Sequence, residues 1–206
     1  MIPVFSDYSF VEAGFCNATE SPDLTDPILM NQVHGADAVV LENTPDKMPD
    51  CDALVTHMSN LKLTIKTADC GPVLFLDPVA KVVAAAHAGW KGAFQGILES
   101  TVLSMLRLGA QIDQIQVAVG PHLTQKNFQV SPSMQALFPK TEQSFFKPKT
   151  DGIYFDFTSY IQHRLQRIGL KKIEIHAIDT MSDLAYNSYR RDKNNPARQY
   201  SFIKLK

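Results

Sequence analysis

A chain of 206 residues with 45% apolar and 20% charged side chains has the size and composition of one ordinary globular domain able to close its own core. Its 20 basic and 21 acidic residues leave a formal charge of -1, which excludes the electrostatic footprint of a nucleic-acid or anionic-membrane binder and points to a small or neutral partner. No run approaches the roughly 18 uninterrupted apolar residues of a membrane span, and "MIPVFSDYSF" lacks the basic and apolar regions of a signal peptide. Cys16, Cys51 and Cys70 are too irregularly spaced for a disulfide framework, so the expectation is a soluble cytoplasmic protein with free thiols.

No repeat or long polar linker divides the sequence, which predicts a single domain over residues 1–206. Short β-rich runs come first: "PILMNQV", "ADAVVLE", "DALVTH", "LKLTIK", "PVLFLD" and "KVVAAAH", separated by Gly, Pro or Asp turn signals. The proline-rich, acidic stretch "ENTPDKMPDCD" reads as a surface loop. "DPVAK", with Pro78 setting the turn, predicts a hairpin joining Val73–Leu76 to Val82–Ala86. In that hairpin Cys70, before the first strand, falls near His87, after the second.

Downstream the apolar period lengthens. Phe94, Ile97, Leu98, Val102, Met105 and Leu106 predict a helix stopped by Gly109. "QIQVAVGP" reads as a buried strand, Ser131-Pro132 caps a short helix over "SMQALF", and Thr158 begins another in which Ile161, Leu165 and Ile168 share a face before Gly169. "KKIEIHAI" and "RQYSFIKL" supply late strands. Strands that cluster early, without regular βαβ alternation, predict an α+β fold with a mixed, mainly antiparallel sheet and flanking helices.

His34 in "NQVHGAD", Cys70 in "TADCGP" and His87 in "AAAHAGW" each follow a strand beside glycine or small residues, where a side chain can project into a cleft. Two imidazoles and a thiolate suit zinc, with a fourth tetrahedral position left for water or substrate. The same donors suit an electron-transfer copper site, although no long axial ligand can be assigned. A metal-free reading makes Cys70 a nucleophile, with His87 as base and Asp69 or His34 orienting it, for amide or ester hydrolysis. A buried free cysteine and two hydrogen-bonded core histidines would also account for the residues. Arg190 and Arg191 of "SYRRD" could hold a phosphate or carboxylate, or form structural ion pairs. Trp90 could stack on a flat ring or pack its loop, and His122 reads as a solvated loop histidine. The glycine spacing of "HAGWKG" fits neither a P-loop nor a dinucleotide fingerprint.

In this order, "NQVHGAD", "CDALVT", "TADCGPVLFLDP", "AAAHAGWKG", "VAVGPHLTQKNFQV" and "SYRRD...RQYSFI" resemble the YfiH-like laccase-domain family, also labelled polyphenol oxidases and now regarded as purine nucleoside phosphorylases. The resemblance implies a fold shared distantly with cytotoxic necrotizing factor toxins, with His34, Cys70 and His87 as zinc ligands. It implies cleavage of adenosine, inosine, guanosine and methylthioadenosine with phosphate, with adenosine deamination alongside. Copper-dependent phenol oxidation is an older assignment, and some bacterial members are connected with peptidoglycan precursors.

This chain departs from the family pattern before "QVHG", where members carry a longer run with a "TRxGGxS" segment, so residues 1–30 read as a shortened amino-terminal segment. "GFCNATES" lacks the arginine and paired glycines, "DTM" stands for the late "CTY", and "NPARQYSFI" keeps Arg198. Three functions are therefore carried forward: a zinc-dependent nucleoside phosphorylase, with Cys70 and His87 catalytic and Arg190 or Arg191 binding substrate anions; a metal-free cysteine hydrolase; and a metal-binding protein without catalysis.

Overall fold

The computed structural model describes residues 2–20 and 26–206, so the expected short segment 1–30 falls partly outside the described residues. The strands are β1 (Val11–Phe15), β2 (Pro27–Ile28), β3 (Ala38–Val40), β4 (Ala53–Thr56), β5 (Lys62–Thr67), β6 (Gly71–Asp77) and β7 (Val82–Ala88). Helices α1 (Trp90–Gln95) and α2 (Ile97–Arg107) follow, then β8 (Gln116–Val119), β9 (Gln129–Val130), α3 (Pro132–Ala136), β10 (Phe146–Lys149), β11 (Gly152–Phe155), α4 (Phe157–Ile168), β12 (Lys172–Ile175) and β13 (Gln199–Leu205).

The six-stranded sheet has the order β12-β8-β6-β7-β4-β3, with parallel pairs at its two edges and antiparallel pairs within. A four-stranded sheet runs β1-β13-β5-β2, and β10-β11-β9 form a small antiparallel sheet. This is the expected α+β class with mixed, mainly antiparallel pairing. Successive residues of the central strands join different cores. Val73, Phe75, Ala84 and Ala86 cluster with Leu98, Val102, Ile161 and Leu165 of the helices. Leu74, Leu76, Val83 and Ala85 cluster with Leu63, Ile65 and Ile203 of the four-stranded sheet. The central sheet is therefore covered on both faces, which is why "PVLFL" and "VVAAA" are continuous apolar runs without polar alternation.

The hairpin forms as expected and extends further, with Gly71 opposite Ala88 and Pro72 opposite His87. Other boundaries differ for local reasons. "PILMNQV" contributes only the two residues of β2. The helix expected from Phe94 is two helices, because Gly96, at φ 107°, turns left-handed and closes α1 with its N–H on the Gly92 carbonyl. Helix α4 starts one residue before Thr158, because the Asp156 carboxylate accepts from the Ser159 N–H and is the cap. Ser131 caps α3 as read from sequence, its hydroxyl accepting from Met134 N–H. Among the described residues no helix is long and apolar enough to cross a membrane.

Phe75 is fully buried on β6 at the centre of the helix-side core. Phe75→Ala is expected to lower unfolding free energy by about 3–5 kcal/mol, measured by denaturant titration.

Candidate metal centre

The centre assembles where three chain segments meet at one end of the β6–β7 hairpin. Cys70 stands one residue before β6 and His87 lies within β7. His34 comes from the loop between β2 and β3, at φ 58°. The ligand-capable atoms of His34, Cys70 and His87 all lie within 4.8 Å of one another. Cys70 Sγ is 4.0 Å from His34 Nε2, and the two imidazoles meet edge to face with centroids 4.8 Å apart.

Asp52, wholly buried, organises this cluster. Its place follows from strand register: Ala53 pairs with Ala86, and one step further the His87 N–H donates to the Asp52 carbonyl at 2.7 Å. The Asp52 carboxylate receives His87 Nδ1 at 2.7 Å and the backbone N–H groups of Gly35 (2.6 Å), His34 (3.0 Å) and Val33 (3.3 Å). Successive N–H groups converging on one carboxylate form an anion nest, and this one holds His34 in the left-handed region that a non-glycine residue seldom adopts. With Nδ1 engaged by Asp52, the His87 Nε2 is left as its ligand atom, the arrangement by which a carboxylate orients a metal-binding histidine.

Glycines allow the segments to close up. A Cβ on Gly89 would stand 3.0 Å from His34 Cδ2 and 3.4 Å from Cys70 Sγ, and one on Gly92 would meet the Gly35 carbonyl oxygen at 2.5 Å. The spacing of "HAGWKG" thus serves close packing of α1 against the His34 loop. Sequence reasoning missed Asp52. Its only signal was an acid immediately before a predicted strand.

The electrostatics favour an ion pair. Burial alone would raise the Cys70 thiol, but the His87 charge and hydrogen bonds from both imidazoles outweigh it and pull it down to about 6. Burial would likewise lower His87, yet the Cys70 thiolate and the Asp52 carboxylate raise it to about 9. Burial also opposes ionisation of Asp52, and the donors from His87, Gly35 and His34 overcome it and hold its carboxyl below the ordinary value.

Two cavities flank the cluster and share His34, Ala68, Cys70 and Tyr189 in their walls. The first, about 680 Å³, carries Trp90, Phe128 and Phe157 together with Arg190. The second, about 610 Å³, carries Lys66, Arg198 and His87. Trp90 serves both of its sequence readings, since it lines the first cavity and its ring also lies 6.5 Å from that of Phe138.

The two arginines part company. Arg190 lies over the Phe128 ring at 5.3 Å, and its Nη1 donates to the Gln129 carbonyl at 2.7 Å. Arg191 lines neither cavity, and its guanidinium donates to the carbonyls of Thr180, Met181 and Tyr186. Those backbone bonds turn Arg191 into the 180–186 loop, the structural role its sequence reading also allowed. Nor does Asp69 orient His87. At φ 85° it accepts instead from Thr180 Oγ1 and the Arg190 N–H, both at 2.7 Å. His122 is buried, not solvated: Nδ1 meets the Gly120 carbonyl and Nε2 the Thr158 hydroxyl, each at 2.8 Å, and burial lowers its pKa. Cys16 and Cys51 are buried free thiols away from the cluster.

Residues 11–206 match the family model described as multi-copper polyphenol oxidoreductase laccase, and the chain belongs to this family. It is 34% identical over 169 residues to a purine nucleoside phosphorylase of Streptomyces coelicolor, spanning 81% of this chain and 70% of that protein. A purine nucleoside phosphorylase of Rickettsia conorii is 31% identical over 172 residues, spanning 81% and 71%. Among solved structures, YfiH of Bacillus licheniformis superposes with a TM-score of 0.80 at 28% identity, over 90% of this chain and 76% of that one. YlmD of Geobacillus stearothermophilus gives 0.78 at 27% identity, over 87% and 73%.

Two outcomes follow from the centre. Asp52→Asn puts an amide among converging donors and is expected to weaken the cluster's affinity for an added divalent metal ion about 10- to 100-fold, measured by competition with a chromogenic chelator. In metal-free protein, Cys70 alkylation by iodoacetamide is expected to follow a thiolate with a midpoint near pH 6, falling off below it and holding through neutral pH, where His87 remains protonated. Cys51, pushed up to about 11 by burial, and Cys16, raised likewise, stay unmodified. Peptide mass mapping against pH checks this, and a Cys70 midpoint near the ordinary thiol value of about 8.5 would contradict the ion pair.

Proposed function

We propose that the protein is a zinc-dependent purine nucleoside phosphorylase, cleaving adenosine, inosine, guanosine or methylthioadenosine with phosphate to a free base and a sugar 1-phosphate. Adenosine deamination accompanies it, and the setting is cytoplasmic. The observation that carries the reading is the His34–Cys70–His87 cluster, with His34 and Cys70 in the common wall of two cavities and His87 in the wall of the second, each cavity having room for a substrate. The phosphorylase names of the relatives agree with it.

Two imidazole nitrogens and a thiolate, with Asp52 behind His87, are a donor set that fits zinc, and copper takes the same set. When bound, the metal supplies a Lewis-acid charge beside the reacting atoms. The rest falls to the chain. In phosphorolysis the bond between the anomeric carbon and the base breaks, its electron pair leaves with the purine, and a phosphate oxygen bonds to that carbon. Trp90, Phe128 and Phe157 offer apolar faces for a flat base. Arg190 has Nε and Nη2 without protein acceptors among the described residues, and these donate to the base and offset the negative charge developing on it. Arg191 acts as a positioning residue, fixing the loop from which Arg190 projects.

A second reading has its own observation, the Cys70 sulfur within 4.8 Å of a His87 imidazole held by Asp52, where the local charges favour a thiolate and an imidazolium. That arrangement suits a metal-free hydrolase acting on an amide such as a cell-wall precursor. Protein purified without chelator is expected to carry about one zinc per chain and to convert inosine and phosphate into hypoxanthine and ribose 1-phosphate. Cys70→Ala loses both metal and activity. Activity that survives chelation and is abolished by covalent trapping of Cys70 supports the hydrolase, and full metal occupancy with no turnover across a nucleoside panel leaves a metal-binding protein.

A further inference from the structure

We propose that the second cavity is a phosphate-group site, filled by inorganic phosphate as co-substrate, with Lys66 and Arg198 as its cationic ligands. The proposal rests on the phosphorylase reading and assigns its second substrate a place. Displacement at an anomeric carbon brings the nucleophile in on the face opposite the departing base, so base and phosphate require separate chambers that meet at the sugar. The two cavities meet along His34, Ala68, Cys70 and Tyr189. Trp90, Phe128 and Phe157 belong to the first cavity alone, which makes that one the purine chamber.

The second chamber has the chemistry of an oxyanion site. Among the described residues its wall contains Lys66 and Arg198 and no carboxylate residue. Lys66 lies on β5, and its backbone is clamped on both sides by one side chain: its N–H donates to Gln32 Oε1 at 2.9 Å and its carbonyl accepts from Gln32 Nε2 at 2.8 Å. The clamp fixes the base of the lysine stem, while among the described residues its ammonium has no protein acceptor. Arg198 anchors Nη1 on the carbonyls of Asn195 and Ala197, which leaves Nε and Nη2 for a ligand.

Behind the wall, Thr67 is 1% exposed and its buried Oγ1 has no hydrogen-bond partner among the described residues; across the β5–β13 ladder, buried Gln199 has Nε2 likewise unpartnered among them. Buried donors left without acceptors are costly and mark positions that a ligand or ordered water completes. A lysine ammonium and an arginine edge, both without protein acceptors among the described residues, and no opposing carboxylate among those residues together describe a site for a compact, multiply charged oxyanion.

The experiment uses the zinc-loaded full chain, with steady-state phosphorolysis of inosine and direct binding of inorganic phosphate followed by calorimetry. Lys66→Gln and Arg198→Gln are each expected to raise KM for phosphate and Kd for inorganic phosphate about 10- to 100-fold, with KM for inosine and zinc content unchanged. Arg190→Gln is expected to raise KM for inosine and leave phosphate binding as it was. Because Lys66 sits in a ladder, Arg198→Gln and circular dichroism of both variants separate loss of ligand from loss of fold.

Phosphate parameters unmoved in both variants, with wild-type turnover intact, overturn the site and spare the phosphorylase reading. Lys66-dependent phosphate binding without any phosphorolysis spares the site and overturns that reading. Lys66-dependent binding of inosine 5′-monophosphate without binding of inorganic phosphate overturns the co-substrate assignment.

Discussion

The Asp52 carboxylate is the interaction on which the rest of the centre depends. It accepts from His87 Nδ1 and from three consecutive backbone N–H groups of the loop that carries His34. One buried charge therefore sets the orientation of a strand histidine and the backbone conformation of a loop histidine, 35 and 18 residues away. The positive φ of His34 is a local cost that the nest offsets, and strain of this kind is maintained where the surrounding bonds over-determine it. Asp69 plays a parallel part on the other side of Cys70, joining the strand end to Thr180 and to the backbone of Arg190. Two carboxylates, one next to Cys70 in sequence and the other remote in sequence from all three clustered side chains, tie together segments that are far apart in the chain.

This division explains what could be read from the sequence and what could not. The pairing of Cys70 with His87 was legible because a hairpin is local: Pro78, two apolar runs and the direction of the turn suffice. Most strands and helices were legible from apolar period, and their ends from Ser131, Gly109 and Gly169. His34 was legible as a candidate from its donor type and strand-end position, but its meeting with the hairpin was not, since nothing local determines where a loop between two short strands will land. Asp52 was invisible because its role depends on the Ala53–Ala86 register, a property of two strands far apart in the chain. Asp69 looked suitable because it precedes Cys70, but the turn at φ 85° gives it other partners. His122, flanked by Pro121 and Leu123, has the composition of an exposed turn. Its burial comes from the bridge to Asp179 and the Thr158 hydroxyl, contacts that no window of sequence contains.

The chemistry of the two chambers follows from the same layering. The aromatic chamber takes its rings from the helix side, Trp90 from α1 and Phe157 from α4, while the cationic chamber takes Lys66 from the outer sheet. The His34–Cys70–His87 cluster stands at the end of the central sheet between them, so each layer contributes the kind of surface it has to offer. Helices with apolar faces supply a bed for a flat ring. A strand near the open end of its sheet supplies a polar wall.

The hairpin that bears Cys70 and His87 is also the partition between the two cores, with alternate residues belonging to each. A close-packed interior transmits changes of volume instead of absorbing them. Repacking among the helices, or within the outer sheet, therefore acts on the same two strands and on the separation of the side chains at their ends. No flexible tether insulates the reactive groups from the scaffold. A lineage carrying this fold would adjust the clustered side chains from either face of the sheet, through substitutions that touch none of the three.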